Sequence, residues 1–201
     1  MTYQGKPFQD SVYSGGAQII PGRVRCAYYD FGGEGVAYHD SDSLNHGSGG
    51  LNPADGSYLH EFRMHEAVDT TYTKDGAYDN HPYNFVEPEL GMLYVGWTVP
   101  GEWIKYSVDV KQTGLYSVHL FYTSHDGGEI ALSVNDQDVT GPLKIQTTYR
   151  QEDPLDWRQW HHWNRAVDIA RVSLEQGLQV LTLHTVSSGN INYAYLDFEL
   201  L

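Results

Sequence analysis

From Trp103 the chain alternates apolar and polar residues with a period of two. Ile104, Tyr106, Val108 and Val110 fall on one side and Lys105, Ser107 and Asp109 on the other. Successive side chains of a strand point to opposite faces, so this pattern predicts a half-buried strand. Gln112-Thr113-Gly114 predicts a turn into a second run, with Tyr116, Val118, Leu120 and Tyr122 in alternation. His125-Asp126-Gly127-Gly128 leads to Ile130, Leu132 and Val134, which Asn135-Asp136 ends. Gln176-Gly177 precedes a run over 180–186, and the closing run over 193–201 sets Ala194, Leu196, Phe198 and Leu200 on its core face. Upstream, residues 24–29 read as a first strand and residues 59–72 as one or two short ones. Residues 168–175 could pass as a helix, but their β-branched content argues for a strand. Short strands at this spacing predict an all-β fold, an antiparallel β-sandwich.

Two stretches break the pattern. Residues 39–58 are rich in Gly, Ser, Asp and Asn, and residues 75–89 contain Asp79-Asn80-His81-Pro82. Loops this long in a compact domain carry function or cover something. The length of 201 residues suits a single domain over 1–201, with residues 1–20 as a lead-in packing on it. Aromatics at 13%, with 16 Tyr and 21 Gly, favour strands and turns over helical bundles. A net charge of −14 argues against nucleic acid and anionic membranes as partners and disfavours highly sulfated glycans. The single Cys26 rules out an internal disulfide and reads as a buried, inert thiol. No apolar run approaches transmembrane length. The first five residues have no signal-peptide character, so the expectation is a segment of a longer protein.

The candidate chemistry centres on Asp156-Trp157-Arg158-Gln159-Trp160-His161-His162-Trp163-Asn164. Flat apolar rings beside hydrogen-bonding side chains suit a sugar, which has apolar C–H faces and a rim of hydroxyls. If the stretch is a strand, Trp157 and Trp163 share one face and Trp160 takes the other, so at least one is structural. Catalytic and metal signatures fail on inspection. His60-Glu61-Phe62-Arg63-Met64-His65 places its second His one residue late for a zinc-protease helix. Asp40-Ser41-Asp42 starts like a calcium loop, but Leu44 and the missing Gly break it. The adjacent His161 and His162 would point to opposite faces of a strand and could not easily share one metal. No Gly-x-Ser-x-Gly context is present. Nothing in the residues points to an enzyme; the alternatives to glycan binding are a small β-sandwich glycan-active enzyme and a structural or interaction domain with no ligand.

Two segments carry a resemblance. One is Ile20-Pro21-Gly22-Arg23-Val24 through Tyr29-Asp30 and on through Gly33-Glu34-Gly35-Val36-Ala37-Tyr38-His39-Asp40. The other is Tyr94-Val95-Gly96-Trp97-Thr98-Val99-Pro100-Gly101-Glu102-Trp103-Ile104-Lys105-Tyr106-Ser107-Val108. With Gly114-Leu115-Tyr116, the Trp-x-x-Trp segment, the Gly177 turn and Tyr195-Leu196-Asp197-Phe198 in order, they resemble family 6 carbohydrate-binding modules over about residues 20–201, with extra sequence at about 41–92 and 140–156.

The resemblance implies a β-sandwich jelly roll that binds glycans without catalysis. The expected ligand is a plant- or algal-type polysaccharide or oligosaccharide. The expected setting is a secreted, cell-surface or periplasmic protein in which the module is appended to a glycoside hydrolase. The family's end-loop site clamps a sugar between two aromatic rings and adds an Asn. Carried over, Tyr38 is the first plate and Trp157, Trp160 or Trp163 the second, with Trp160 favoured and Trp163 a structural neighbour. Tyr195 stands where an Asn is expected, so Asn190 or Asn192 has to substitute. The family often holds a structural calcium at a position that here corresponds to Asp197. Arg25 and Ala27 stand at the first-strand ligand positions, and neither offers a lone pair. The expectation is that Arg25 pairs with Asp197 in place of the ion, which disfavours a structural calcium, and that no cofactor is bound.

Overall fold

The computed structural model describes residues 3–201 and places almost all regular structure in strands. In chain order they are β1 (Gln18–Ile20), β2 (Gly22–Arg25), β3 (Tyr38–His39), β4 (Thr70–Tyr72), β5 (Leu93–Val95), β6 (Trp103–Val110), β7 (Gly114–Ser124), β8 (Gly128–Val134), β9 (Gln137–Asp138), β10 (Leu143–Ile145), β11 (Asn164–Leu174), β12 (Gly177–Ser187) and β13 (Ile191–Leu200). One sheet has the order β1-β6-β12-β8-β10, with β3 also on β6 and β9 on β8. The other has the order β11-β7-β13-β5-β4, with β2 also on β13. The β1–β6 pair is parallel, and the long pairs β6–β12, β12–β8, β7–β11 and β7–β13 are antiparallel. The two sheets pack face to face as a β-sandwich.

The alternation at Trp103 is what makes β6 a sandwich strand. Ile104, Tyr106, Val108 and Val110 are buried, while Lys105, Ser107 and Asp109 between them are only partly so. The same holds for Ile130, Leu132 and Val134 in β8, and together with Leu120, Leu183, Leu196 and Phe198 they fill the space between the sheets. Each such side chain contributes about 1.5–3 kcal/mol of burial. Cys26 lies in this core, where burial pushes its thiol up to about 12, the state of an inert thiol.

Two expectations are corrected and one, for residues 59–72, is met by one short strand. The first strand ends at Arg25 rather than running to residue 29, because the chain turns there, with the Tyr28 N–H donating to the Arg25 carbonyl at 3.1 Å. Residues 59–72 hold the end of one helical turn, α1 (Tyr58–Glu61), as well as β4. In β13 a bulge between Tyr193 and Tyr195 shifts the alternation. Ile191, Tyr193, Leu196 and Phe198 therefore face the main core, while Ala194 faces outward into a second cluster with Met92, Tyr94, Phe121 and Trp163. That second cluster lies on the outer face of the six-stranded sheet and needs a cover, which the long loops supply.

The first loop is fastened to β4. Asn45 Nδ2 donates to Thr70 Oγ1 at 2.9 Å, and Asn52 Nδ2 donates to Thr71 Oγ1 at 2.8 Å. Gly47 passes so close that a Cβ there would sit 2.0 Å from the Thr70 carbonyl oxygen, so no side chain fits. The same insertion brings Asp69 near Asp40 and Glu102. Burial, reinforced by the carboxylates of Glu102, Asp69 and Asp42, pushes the Asp40 carboxyl up to about 7. A folded pKa above the unfolded value means that the folded state binds the extra proton. Stability from this group is therefore lost as pH rises from about 4 through 7. Asp40→Asn removes the charge, so thermal melts should show it more stable than the parent at pH 8, by about 1 kcal/mol after solvent screening, and equal at pH 4. An equal gain at both pH values would rule this origin out.

Candidate functional site

Where the outer face of the six-stranded sheet meets the loops, side chains enclose a cleft of about 550 Å³. Its floor comes from the sheet: Tyr72 on β4, Tyr94 on β5 and Asn192 on β13. Leu51, Asn52 and His60 form one wall, Lys74, Tyr78 and Asp79 another, and Trp97, Trp157, Trp160 and His161 complete the rim. Trp97 is 39% and Trp157 54% exposed, a large apolar area to leave in water beside a ready-made cavity. Trp97 also holds a left-handed backbone, φ 49°, which a bulky residue adopts only under constraint from its surroundings. Beside it, Thr98 Oγ1 donates to the Ile191 carbonyl at 2.8 Å and fixes the turn against β13.

The tryptophan segment is not a strand. Asp156–Arg158 forms a 3-10 turn, and β11 begins only at Asn164. Residues three apart eclipse one another in such a turn, so Trp157 and Trp160 both reach the cleft. This overturns the period-two division of the tryptophans. Trp163 goes inward with no exposed surface, flat on Phe121 (centroids 5.2 Å, 11° between planes) and edge-on to Tyr94 at 5.0 Å. It is a structural residue and not a plate.

Two buried carboxylates hold the segment in place. Asp79 accepts from Trp163 Nε1 and from His161 Nε2, both at 2.7 Å, and from the Lys74 N–H at 2.7 Å. Burial pushes the Asp79 carboxyl up, but the hydrogen bond from His161, with the Lys74 and Trp163 donors, outweighs it and holds the group below the usual carboxylate range. Asp153 accepts from Arg158 Nε at 2.7 Å and Nη2 at 2.8 Å, and Arg158 Nη1 donates on to the Ala77 carbonyl. Carboxylates thus tie residues 153–163 to residues 74–79 across the sheet. Lys74 stands at the cleft with its ammonium 5.1 Å from the Tyr72 ring and 5.9 Å from the Tyr78 ring; burial lowers its pKa and Asp79 opposes the shift.

His161 passes the order on to the floor. With Nε2–H given to Asp79, its Nδ1 accepts from Asn192 Nδ2 at 3.1 Å, and the same amide nitrogen donates to Thr123 Oγ1 at 2.7 Å. Both bonds use the nitrogen. The Asn192 carbonyl oxygen sits over Gly96, where an added Cβ would lie 2.8 Å away. Gly96→Ala should therefore push the carboxamide off its two partners, weakening ligand binding about tenfold, or about 1.4 kcal/mol, while the fold survives. Titration calorimetry and a melting curve measure the two effects separately, and unchanged affinity would show that Asn192 does not contact the ligand.

Of the residues expected at the site, Trp157, Trp160 and Asn192 line the cleft together. Tyr38 does not. It is 5% exposed, edge-on to Tyr29 at 5.6 Å, and its hydroxyl accepts from the Ala67 N–H at 3.4 Å. The extra sequence after residue 41 folds back through Ala67 and Val68 and covers the ring, which removes it as a plate. Asn190 is exposed in a turn at φ 52°, where its N–H donates to the Thr98 carbonyl at 2.7 Å, away from the cleft. Asp197 pairs with Arg23 rather than Arg25, Arg23 Nε donating to Oδ1 at 2.9 Å. The register explains the change: β13 sets Asp197 opposite Arg23 and Tyr195 opposite Arg25. The pair is partly exposed, and Arg23 also lies 3.5 Å over the Tyr195 ring. The residues not foreseen include Tyr72, Tyr78, Tyr94, Trp97, Lys74, Asp79 and the wall of Leu51, Asn52 and His60. The one signal for Tyr72, Tyr78 and Asp79 was the density of Tyr and Asp in a long stretch without periodicity, while Tyr94 and Trp97 lie in a segment that carries the resemblance.

Fold and cleft together define a β-sandwich binding domain with an aromatic, hydrogen-bonding site. Residues 70–200 match the family model described as Carbohydrate binding module (family 6), and the chain belongs to that family. CsCBM6-3 from Clostridium stercorarium, solved in complex with cellobiose, superposes with a TM-score of 0.56 at 12% identity, over 93% of this chain and 99% of that one. A β-1,3-glucan-binding family 6 module from Bacillus halodurans gives 0.51 at 15% identity, over 91% and 98%. At such identities these structures share the fold. No curated protein matches the sequence. The chain is a carbohydrate-binding module, and its relatives of this family are non-catalytic.

Proposed function

We propose that the chain holds a segment of a plant- or algal-type polysaccharide or oligosaccharide in the cleft without acting on it. The observation that carries this reading is the set of open rings, Trp97, Trp157 and Trp160, around the Asn192 carboxamide. The rings take the C–H faces of a sugar by stacking, and the Asn192 carbonyl oxygen and the Lys74 ammonium take its hydroxyls. A binding role rather than a hydrolytic one is supported by the carboxylates. Glycoside hydrolysis uses two flanking the bond, whereas the lining residues include one, Asp79, and its oxygens are occupied by three donors. The module then serves to keep an attached glycoside hydrolase on its polymer, in a secreted or cell-surface protein.

A glycan array followed by titration calorimetry on the best binders tests the reading. The expected affinity is micromolar to millimolar, since a few rings and hydrogen bonds act over a small area. A silent array would overturn the binding role, and steady product release from a bound glycan would overturn the non-catalytic one.

A further inference from the structure

Behind the tryptophan rim, His81, Asp153 and His162 converge on one point. The side chains of Asp153 and His162 have no exposed surface, and His81 is 9% exposed. One donor atom from each lies within 4.8 Å of the others. His81 is the first anomaly: both of its ring nitrogens are buried without a hydrogen-bond partner. Buried polar atoms are satisfied as a rule, so an imidazole with neither nitrogen paired needs a reason.

His162 is the second anomaly. Its Nδ1 lies 2.8 Å from the Thr148 carbonyl oxygen and its Nε2 lies 2.9 Å from Asp153 Oδ2. Both partners are acceptors, and a neutral imidazole has one N–H to give. With Nδ1–H donated to Thr148, the Nε2 lone pair faces a carboxylate lone pair, and a second proton or a metal ion has to stand between them. Asp153 leaves one position for it. Oδ1 accepts from the Leu155 N–H and Arg158 Nη2, Oδ2 accepts from Arg158 Nε, and the remaining lone pair of Oδ2 points to His162.

We propose that His81, Asp153 and His162 bind one divalent transition-metal ion of the zinc kind. The ion takes the free lone pair of Asp153, the Nε2 of His162 and a nitrogen of His81, and it keeps a further position for water. Two imidazoles and one carboxylate are a donor set for zinc-like ions and a poor one for calcium or magnesium. Tetrahedral ligands at zinc stand about 3.3 Å apart, which a turn of the unpartnered His81 ring supplies. The surroundings are those of metal ligands: His162 gives its other N–H to a backbone carbonyl, and Arg158 orients the carboxylate. The cationic Arg158 weakens the site, so the ion is exchangeable rather than permanently locked in. Because Asp153 and His162 belong to the segment carrying Trp157 and Trp160, while His81 belongs to the facing loop, the ion clamps one wall of the cleft to the other.

The test uses the whole chain, stripped with a chelator and titrated with Zn²⁺ by calorimetry and by thermal unfolding. The expected result is one Zn²⁺ per chain and a rise in Tm of several degrees that Ca²⁺ and Mg²⁺ do not reproduce. His81→Ala should lose both, the rise being judged against the variant's own metal-free Tm, because removing a buried ring packed on His162 and Tyr83 lowers that Tm by itself. Absence of stoichiometric Zn²⁺ binding by the parent overturns the proposal, as does equal binding and an equal Tm rise in His81→Ala, which would assign the ion to surface histidines. If His81→Ala does not fold, the Co²⁺-loaded parent decides: d–d bands of a low-symmetry nitrogen–oxygen site are expected, and a spectrum equal to that of aqueous Co²⁺ overturns the site.

Discussion

Trp160→Ala should weaken glycan binding at least about 30-fold and leave the melting temperature within a few degrees of the parent. Trp160 stands at the rim, edge-on to His161 at 5.5 Å and tilted against His125 at 5.9 Å, and it belongs to none of the buried clusters. What holds its loop is the backbone, whose carbonyl accepts from Thr148 Oγ1 at 2.5 Å and survives the substitution. A stacked tryptophan at the centre of a small interface is a dominant contributor, worth about 2 kcal/mol or more, or at least about 30-fold in affinity. A module starting near the millimolar end of its range then falls out of reach of calorimetry, and one starting near the micromolar end is left at tens of micromolar or weaker. Trp163, three residues on, supplies the contrast. It is fully buried on Phe121, so its truncation to alanine should cost about 3–5 kcal/mol of stability. If Trp160→Ala binds as the parent does, Trp157 or Trp97 is the stacking ring. If it unfolds, Trp160 is structural after all.

The long strands were readable because each half-buried strand writes its two faces into the chain as alternation; β6 and β8 show this plainly. The bulge in β13 was not, since an extra residue leaves no mark in a run as apolar as Tyr193-Ala194-Tyr195-Leu196. Sign and partner type of the Asp197 pair were legible, yet the choice between Arg23 and Arg25 turns on register, and both arginines sit on the same face of β2. The site divided in the same way. Trp160 stands just before β11 and Asn192 lies on β13, both within the stretch that carries the resemblance. Tyr38 was misplaced because its exposure depends on Ala67, nearly thirty residues away in a loop with no period to read. Tyr78, Asp79 and Trp97 come from such loops as well and Tyr72 from a strand of three residues, so only the folded chain shows that they share a cleft.

Asp79→Ala should be the most damaging single change near the site, costing about 3–5 kcal/mol of stability and the glycan affinity with it. The carboxylate is 2% exposed and is the common acceptor for Trp163 Nε1, His161 Nε2 and the Lys74 N–H. Removing it leaves three donors facing an apolar methyl, each losing a charge-assisted bond of about 1.5–3 kcal/mol, partly recovered where water enters. Set against a domain stability of about 5–15 kcal/mol, this lowers the melting temperature sharply. The loss also travels. Without Asp79, His161 has no reason to keep its Nε2–H tautomer, its Nδ1 no longer awaits the Asn192 amide, and the floor of the cleft loses its fixed orientation. Asp79→Asn separates charge from shape. Its carbonyl oxygen can still accept from Trp163 and His161, so it should recover more than half of the lost stability while the Lys74 N–H stays unpaired. Chemical denaturation of the three proteins, with calorimetry on those that fold, measures both effects. Should Asp79→Ala melt and bind as the parent does, the tryptophan rim is held by Asp153 and Arg158 alone, and Asp79 is a bystander.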